Sequence, residues 1–508
     1  GAPGRRVMHR NRYGLLRAEV GGQVDRPEHG QQLVLTIDLV RQSILEDELR
    51  QGVQRTGARW GVAVAMEPST GAVLAMANVP RYDANRAARY PKSRRRNRVV
   101  ADQFEPGSTF KLVTAIAAIE QGLVQPSDSI ETGNGWTVFH GKTMKDVRAH
   151  GTISFAEAVT VSSNVGIAKT AERLDAEVIY QYARNLGFGQ RTGIDLPGEA
   201  DGLLKKPSTW SGTTKPWMSI GYEVQATPIQ MLTAYCALAN GGRIVRPYVV
   251  AERRDMRGTT TWTAEPTTIR RAFEAETARR LRPIFQQVVE EGTATRAQVE
   301  GLTIAGKTGT AHKVVDGSYA EGARASFVGF FPVENPKVAL LVILDEPSTS
   351  NYGGVSAAPI FRGIAERWVG TYPDLAGQVA ARTAPVSSDT VRVPDLAGRP
   401  LSSAVRVLET KGLRAAVEGP VGLDRYVSGQ DPVPATALAR GEEVRLDAAA
   451  WADSTDGAPN LKGLPSREAV RWARSQGLDV RVRGSGIVSD QHPAPGSAVS
   501  QSIVLNTR

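Results

Sequence analysis

The chain has 508 residues, enough for two to four domains, and its 41% hydrophobic and 22% charged content is that of a soluble globular protein. Lys plus Arg outnumber Asp plus Glu 62 to 52, a net charge of +10 that favours anionic partners such as membrane surfaces or acidic polymers, and no nucleic-acid fingerprint accompanies it. The single cysteine, Cys236, excludes an internal disulfide; the 6 histidines show no metal-ligand spacing, so no metal and no cofactor are expected, and no apolar run approaches a membrane span.

Residues 1–30 are polar and basic, short of core formers, and read as the tail of something upstream. The abrupt start leaves room for a membrane anchor upstream. Leu33–Ile37 reads as a strand, and Asp38 as the cap of a helix running to about Leu49. Trp60–Met66 and Ala72–Ala77 are strands around the turn Pro68-Ser69-Thr70-Gly71. Arg86–Arg98 reads as a solvated basic loop, with Arg94-Arg95-Arg96 as a sharper candidate for an anionic contact.

Phe104-Glu105-Pro106-Gly107-Ser108-Thr109-Phe110-Lys111 reads as a loop turning into a helix that stops at Gly122. A polar loop region follows. Phe155–Leu174 is a helix interrupted at Val161-Ser162-Ser163-Asn164, and further helices span Pro228–Ala239 and Glu274–Glu291. Cys236 falls in the apolar part of the first of these, where a buried core thiol is expected. Strands then dominate: Leu302–Ile304 leading into Lys307, Ala325–Phe331 and Val338–Leu344, the last two joined by a turn at Glu334-Asn335-Pro336. Ile360–Trp368 closes one α/β domain over residues 31–372.

Residues 373–390 read as a linker. Beyond it lies an internal repeat. Val393-Pro394-Asp395-Leu396-Ala397-Gly398 returns as Ala458-Pro459-Asn460-Leu461-Lys462-Gly463, and Gln430-Asp431-Pro432-Val433-Pro434 returns as Gln491-His492-Pro493-Ala494-Pro495. Two small βαββ modules are expected, at residues 391–449 and 456–508.

Ser108 and Lys111, three apart, share a helix face, which suits a serine nucleophile with a lysine base. Lysine is a base only when neutral, which requires burial or a second cation nearby. Alone, the pair reads first as a capping serine and a solvated lysine. Two more motifs accompany it. Ser162-Ser163-Asn164 in the helix break would present hydroxyl and amide groups to a cleft. Lys307-Thr308-Gly309-Thr310 ends a strand, and Gly309 permits close backbone approach to a ligand. Trp136, Trp210, Trp217 and His150 flank these motifs in loops and read as packing residues.

The three motifs form the set of penicillin-binding proteins and class A β-lactamases. With Arg98–Lys111, Ser163–Gly166, Gly221-Tyr222 and Thr227–Gln230, the chain resembles class B penicillin-binding proteins over about residues 20 to 370, particularly the septal transpeptidase and its sporulation relative. The C-terminal repeats resemble PASTA modules. The resemblance implies an antiparallel sheet flanked by helices, with a helical subdomain, and makes residues 1–30 the remnant of an N-terminal pedestal domain. It implies a membrane-attached enzyme, acting on the outer side, that cross-links peptidoglycan stem peptides through a serine acyl-enzyme on D-Ala-D-Ala donors.

On that resemblance Ser108 is the nucleophile, Lys111 its base, Ser162 a proton relay, and Asn164 orients Lys111 and the substrate backbone. Lys307 supplies positive charge and depresses the pKa of Lys111. Thr308 and Thr310 hydroxyls bind the terminal carboxylate beside Gly309. The backbone N–H groups of Ser108 and Thr310 form the oxyanion hole. β-Lactams are the implied covalent inhibitors, and a separate glycosyltransferase and division-complex membrane proteins the implied partners. The alternatives are a D,D-carboxypeptidase, a serine β-lactamase and a non-catalytic penicillin-binding wall sensor. Glu172 and Glu199 lack the neighbours expected of a β-lactamase glutamate.

Overall fold

A computed structural model describes residues 5–6, 8–10, 12–14, 16–18, 24–25, 30–315, 318–372, 374–375, 390–417, 425–434, 436–439, 441–450, 458, 460–462, 464–475, 477–495, 497 and 502–507. Most of the expected linker lies outside the described residues.

The centre is a five-stranded antiparallel sheet in the spatial order Ala305–Val315, Ser318–Phe331, Val338–Asp345, Trp60–Met66 and Val73–Val79. Every residue of the middle strand, Val338–Asp345, is buried, because both faces of the sheet are covered. That is why it reads as an unbroken apolar run rather than an alternation. The pleat sends alternate residues to two cores. Ala63, Ala65, Leu340, Val342 and Leu344 face one; Val62, Val64, Leu341 and Ile343 face the other.

The first core is closed by the helices Leu39–Thr56 and Ala358–Val369. Asp38 caps the former, its carboxylate accepting from the N–H groups of Val40 and Arg41 at 2.9 Å. This helix passes the expected stop at Leu49 and ends at Gly57, which takes the left-handed conformation at φ 63°. The second core holds the helical subdomain: Lys111–Glu120, Phe155–Thr160, Asn164–Glu172, Pro228–Ala239 and Ala275–Glu290. All residues of Pro228–Ala239 are buried, and burial pushes the Cys236 thiol well up.

Several elements differ from the sequence expectation. Leu33–Ile37 shortens to Gln32–Leu35, which pairs with Val250–Arg254 in a separate sheet. The polar region before Phe155 forms two ribbons, Ser129–Gly133 with Gly151–Ser154 and Trp136–Phe139 with Lys142–Lys145. Their apolar positions are too few for a period of two to stand out. Trp136 lies on such a ribbon and is exposed, whereas Trp210 and Trp217 pack partly against the core. The basic segment folds into short turns over Ala84–Arg89, Lys92–Arg95 and Arg98–Ala101, and Arg96 and Arg98 pair with Asp102.

In each C-terminal module a helix, Leu401–Thr410 or Ser466–Ser475, packs on a three-stranded sheet with one parallel and one antiparallel pair. The first module adds the pair Thr390–Arg392 and Ala437–Ala439 to the expected βαββ pattern, and its last strand runs on to Ala450. The repeated glutamine has a structural job. The Oε1 atoms of Gln430 and Gln491 each accept, at 2.7 Å, from the N–H of Leu396 and Leu461, which ties the loop before the helix to the sheet.

Gly221 shows how tightly this fold holds the Ser108 turn. At φ 88° a side-chain Cβ would be strained, and it would stand 2.0 Å from the carbonyl oxygen of Gly107. Gly122 also has positive φ (64°), but a Cβ there meets nothing within 4 Å. Gly221→Ala is therefore expected to cost about 2–5 kcal/mol and Gly122→Ala about 1–2 kcal/mol. Equal denaturant midpoints for the two variants would refute this account.

Candidate active site

The serine turn is pinned before its helix begins. Phe104 exchanges backbone hydrogen bonds with Ala226 at 3.0 and 2.9 Å, and the Gly107 N–H donates to Gly221 O at 3.1 Å. Gly107–Phe110 forms a 3₁₀ turn that runs into the α-helix at Lys111. Tyr235 Oη donates to Thr109 O at 3.0 Å from the buried helix behind. Ser108 is left half-buried on the wall of a cleft of about 640 Å³, while Lys111 lies fully buried beneath it.

The second motif reaches Lys111 through the helix break. After Thr160 the chain turns at Ser162, which takes a left-handed φ of 61°, and Ser163 caps the next helix by accepting from Gly166 N–H at 2.9 Å. The break aims three acceptors at the Lys111 Nζ: Ser162 O at 2.7 Å, Asn164 Oδ1 at 2.8 Å and Ser162 Oγ at 3.1 Å. Asn164 is oriented by donation from Nδ2 to Lys145 O at 2.9 Å. A neutral amine has two N–H groups and one lone pair. Its hydrogens suit Ser162 O and Asn164 Oδ1, which can only accept, and its lone pair suits a hydroxyl, which can donate.

Asp146 holds this loop in place and escaped the sequence reading. Its carboxylate accepts from Ser163 Oγ at 2.6 Å, from Val165 N–H at 3.0 Å and from Asn164 N–H, so it caps the helix that carries the motif. Its own N–H donates to Gly135 O at 2.8 Å, anchoring it to a ribbon that the sequence had shown only as polar loop.

The third motif lies within the edge strand Ala305–Val315 of the sheet, not at a strand end. Gly309 serves the protein rather than a ligand: a Cβ there would stand 2.3 Å from Ser326 Oγ and 3.0 Å from Thr109 Cγ2, so its absence lets strand and serine turn meet. The Thr308 and Thr293 hydroxyls share a hydrogen bond of 2.8 Å, and Thr310 Oγ1 accepts from Gly353 N–H at 3.4 Å. Lys307 is fully buried, with a hydrogen bond of 3.5 Å to Thr308 O.

Both lysines are pushed toward the neutral form. Burial holds the Lys111 amine well below its usual range; the charge of Lys307 lowers it further, and Asp146 opposes both. Burial alone brings Lys307 down to about 7.

The structure thus brings Ser108, Ser162, Asn164, Thr308 and Thr310 to one cleft wall or another, with Lys111 and Lys307 below. His150 lines the same cleft, so it is not a packing residue. Among the described residues the carboxylates lining it are Asp146 and Glu291; Glu172 and Glu199 are not there. Glu199 is taken up by Thr192 and Gly193, and Glu172 lies 3.7 Å from Lys215.

A model of the penicillin-binding protein transpeptidase domain matches residues 61–366, and the PASTA domain matches residues 391–449 and 458–506. Stage V sporulation protein D of Bacillus subtilis (strain 168) is 32% identical over 431 residues, 83% of this chain and 66% of that protein. Peptidoglycan D,D-transpeptidase FtsI of Escherichia coli (strain K12) is 32% identical over 367 residues, 72% of this chain and 60% of that protein. The chain therefore spans less than two thirds of these relatives' length. The crystal structure of penicillin-binding protein 3 from Mycobacterium tuberculosis, complexed with aztreonam, superposes with a TM-score of 0.64 at 32% identity, over 71% of this chain and 81% of that one.

Two variants test the electrostatics and capping. Asp146→Ala strips the cap from Asn164–Glu172 and is expected to cost about 1–2 kcal/mol, read as a lower denaturant midpoint at unchanged slope. An unchanged midpoint would remove Asp146 from its capping role. Lys307→Met removes a buried cation. Below about pH 7 folded and unfolded forms both carry the proton, so the full cost of burying the charge is present; from there to 10.5 only the unfolded form is protonated, and the cost falls away. The variant should therefore melt above the parent at pH 6, by a margin that shrinks by pH 9.5. A margin that grows with pH would contradict a lowered Lys307 pKa.

The transpeptidase match covers more than half of the chain, and the residues it spans include the whole Ser108, Ser162 and Lys307 constellation. This chain belongs to the class B penicillin-binding proteins, with two PASTA domains after its transpeptidase domain.

Proposed function

We propose that this protein is a serine D,D-transpeptidase that cross-links peptidoglycan stem peptides, with its catalytic domain on the outer side of the cell membrane and a role in septal wall synthesis. The observation that carries the reading is the buried Lys111 Nζ, one helical turn from Ser108 and held by Ser162 and Asn164, with a second buried lysine on the facing strand.

The chemistry follows from that arrangement. Ser108 Oγ attacks the carbonyl of the penultimate D-alanine as Lys111 takes its proton. Charge that develops on the carbonyl oxygen is met by the N–H groups of Ser108 and Thr310; loss of one such donor costs about 3–4 kcal/mol in comparable sites. The C–N bond breaks, and the leaving D-alanine takes the proton from Lys111 through Ser162. The incoming amine then attacks the ester carbon, gives a proton back along the same path, and Ser108 Oγ leaves as the hydroxyl. Lys307, when protonated, together with the Thr308 and Thr310 hydroxyls, holds the terminal carboxylate; Gly309 lets their strand approach. Asn164 keeps Lys111 aimed.

β-Lactams would enter the same path as covalent inhibitors, leaving an acyl-Ser108. A glycosyltransferase and division-complex membrane proteins are the proposed partners. Neither Glu172 nor Glu199 lines the cleft, which favours a long-lived acyl-enzyme over rapid hydrolysis.

Labelling with fluorescent penicillin, followed by intact mass over time, tests this. The parent is expected to form a stable adduct, Ser108→Ala none, and Lys111→Ala a rate lower by at least about 100-fold, the scale of a lost general base. A fast-decaying adduct would point to a β-lactamase, and no adduct on the parent to a non-catalytic protein. Undiminished labelling of a folded Lys111→Ala would overturn the base assignment.

A further inference from the structure

A second cleft, of about 930 Å³, shares no lining residue with the catalytic one. It runs from the end of the edge strand Val73–Val79 to the basic segment that the chemistry above leaves unused, with Arg81, Arg94, Arg95 and Arg96 among its walls. Residues 81–98 hold eight cations and one carboxylate, Asp83, which stands 3.9 Å from Arg86. Two carboxylates from outside that segment meet it: Glu46 lies 3.9 Å from Arg81, and Asp102 is shared by Arg96 and Arg98. Arg50, which also lines the cleft, is held by Asp47. Arg89, Lys92, Arg94 and Arg95 are exposed and take part in no ion pair among the described residues. The cleft and its rim are therefore cationic after every carboxylate beside them has been counted.

The walls are built rather than loose. Arg94 lies over the Tyr90 ring, 5.4 Å from its centre, and the Tyr82 ring meets Tyr90 in a T at 6.1 Å. Asn78 Nδ2 donates to Asn97 Oδ1 at 3.2 Å, and Asn78 Oδ1 accepts from the Arg98 N–H at 2.9 Å, which ties the basic segment to the sheet. Both asparagines and both tyrosines line the cleft, and among the described residues its lining includes no leucine, isoleucine, phenylalanine or tryptophan. Bilayers and protein partners anchor on such side chains. Nucleobases stack on open aromatic faces, whereas Tyr90 is covered by Arg94 and Tyr82. A single small anion would leave most of the charge unmatched, and a row of anions would not. Guanidinium forks match phosphate oxygens in pairs, and the phenol hydroxyls of Tyr82 and Tyr90 suit the oxygens of a polyol.

We propose that this cleft binds a linear phosphodiester polymer with polyol units between its phosphates, and that Arg94 and Arg95 are its main contacts. The association is non-covalent and electrostatic, so it weakens as salt is raised. On the outer side of a membrane, where the proposed function puts the domain, such a chain would hold the enzyme against an anionic wall polymer while the catalytic cleft stays open. Only that consequence rests on the transpeptidase reading; the binding itself does not.

The test is binding of labelled poly(glycerol phosphate) to the full protein, read by fluorescence anisotropy. Arg94→Ala combined with Arg95→Ala is expected to weaken binding by about 30-fold, the scale of two cations lost from an anionic contact. Arg94→Lys with Arg95→Lys, which keeps the charge without the forks, should retain part of the affinity. Arg471→Ala with Arg474→Ala removes the same charge from exposed positions on the helix Ser466–Ser475 and should leave binding unchanged. Oligodeoxythymidine, polyglutamate and phosphatidylglycerol vesicles, matched in accessible charge, should each bind more weakly than the polymer. No binding by the parent, undiminished binding by the Arg94 and Arg95 alanine variant, an equal loss in the Arg471 and Arg474 variant, or equal binding of any of the three rival anions would overturn the proposal. Penicillin labelling of the same samples is expected at the parent rate in every variant, since the catalytic cleft is separate. A parent that binds the polymer but takes no penicillin sinks only the transpeptidase reading, and one that labels but does not bind sinks only this proposal.

Discussion

A lysine amine with no access to water is the constraint around which this domain is arranged. Full burial of Lys111 disfavours its charged form and holds the amine well below its usual range. Burial without partners would leave a polar group unsatisfied. The helix break answers that requirement. Ser162, forced into a left-handed turn, offers both its carbonyl and its hydroxyl, and Asn164 offers its amide oxygen. A continuous helix from Phe155 onward would have spent those carbonyls on its own ladder. Asp146 then caps the restarted helix, and its negative charge limits how far the lysine is driven from protonation.

The second buried lysine makes sense only beside the first. Lys307 gains little from hydrogen bonding, its partner being a carbonyl at 3.5 Å, and burial alone takes it to about 7. Its cost is borne by the sheet. The edge strand Ala305–Val315 is locked to Ser318–Phe331 over a long register, and that strand in turn to the fully buried Val338–Asp345. A site that buries two amines within reach of each other's charge stores destabilisation, as functional sites commonly do. Close approach between the walls is set by backbone rather than by side chains. Gly107, Gly221 and Gly309 each meet a neighbour so closely that a methyl group would displace the serine turn or the strand.

The C-terminal modules follow a simpler logic. Each has a small core of its own, around Leu396, Leu401 and Leu408 in one and Leu461, Trp472 and Ile503 in the other. The repeated Gln-x-Pro segment shows in the sequence only as a recurrence. Its glutamine is a bridge: besides accepting from the loop before the helix, Gln430 and Gln491 donate from Nε2 to the oxygens of Pro432 and Pro493 at 3.2 and 3.1 Å. Identical bonds in both modules explain why the residue recurs at the same place.

Much of this was legible in local pattern. The apolar run Val338–Leu344, the Asp38 cap, the helix Pro228–Ala239 and the stop at Gly122 follow from periodicity, capping and glycine chemistry, which act over a few residues. So does the placing of Ser108 and Lys111 one helical turn apart. The ribbons flanking Trp136 and the helix Ala176–Asn185 were not legible, because short or amphipathic elements on a polar background are stabilised by what they pack on. Asp146, Thr293, Arg148 and Arg296 lie on the cleft with no motif to mark them, and each owes its place to residues 15 or more positions away or to a fold of the chain between. By itself the sequence determined which groups could be nucleophile, base and cation, because side-chain chemistry is local. Only the tertiary structure decided that Lys111 and Lys307 are dry, that Gly309 faces the serine turn, and that two arginines stand at the mouth of the cleft, because burial and distance arise when segments far apart in the chain pack together.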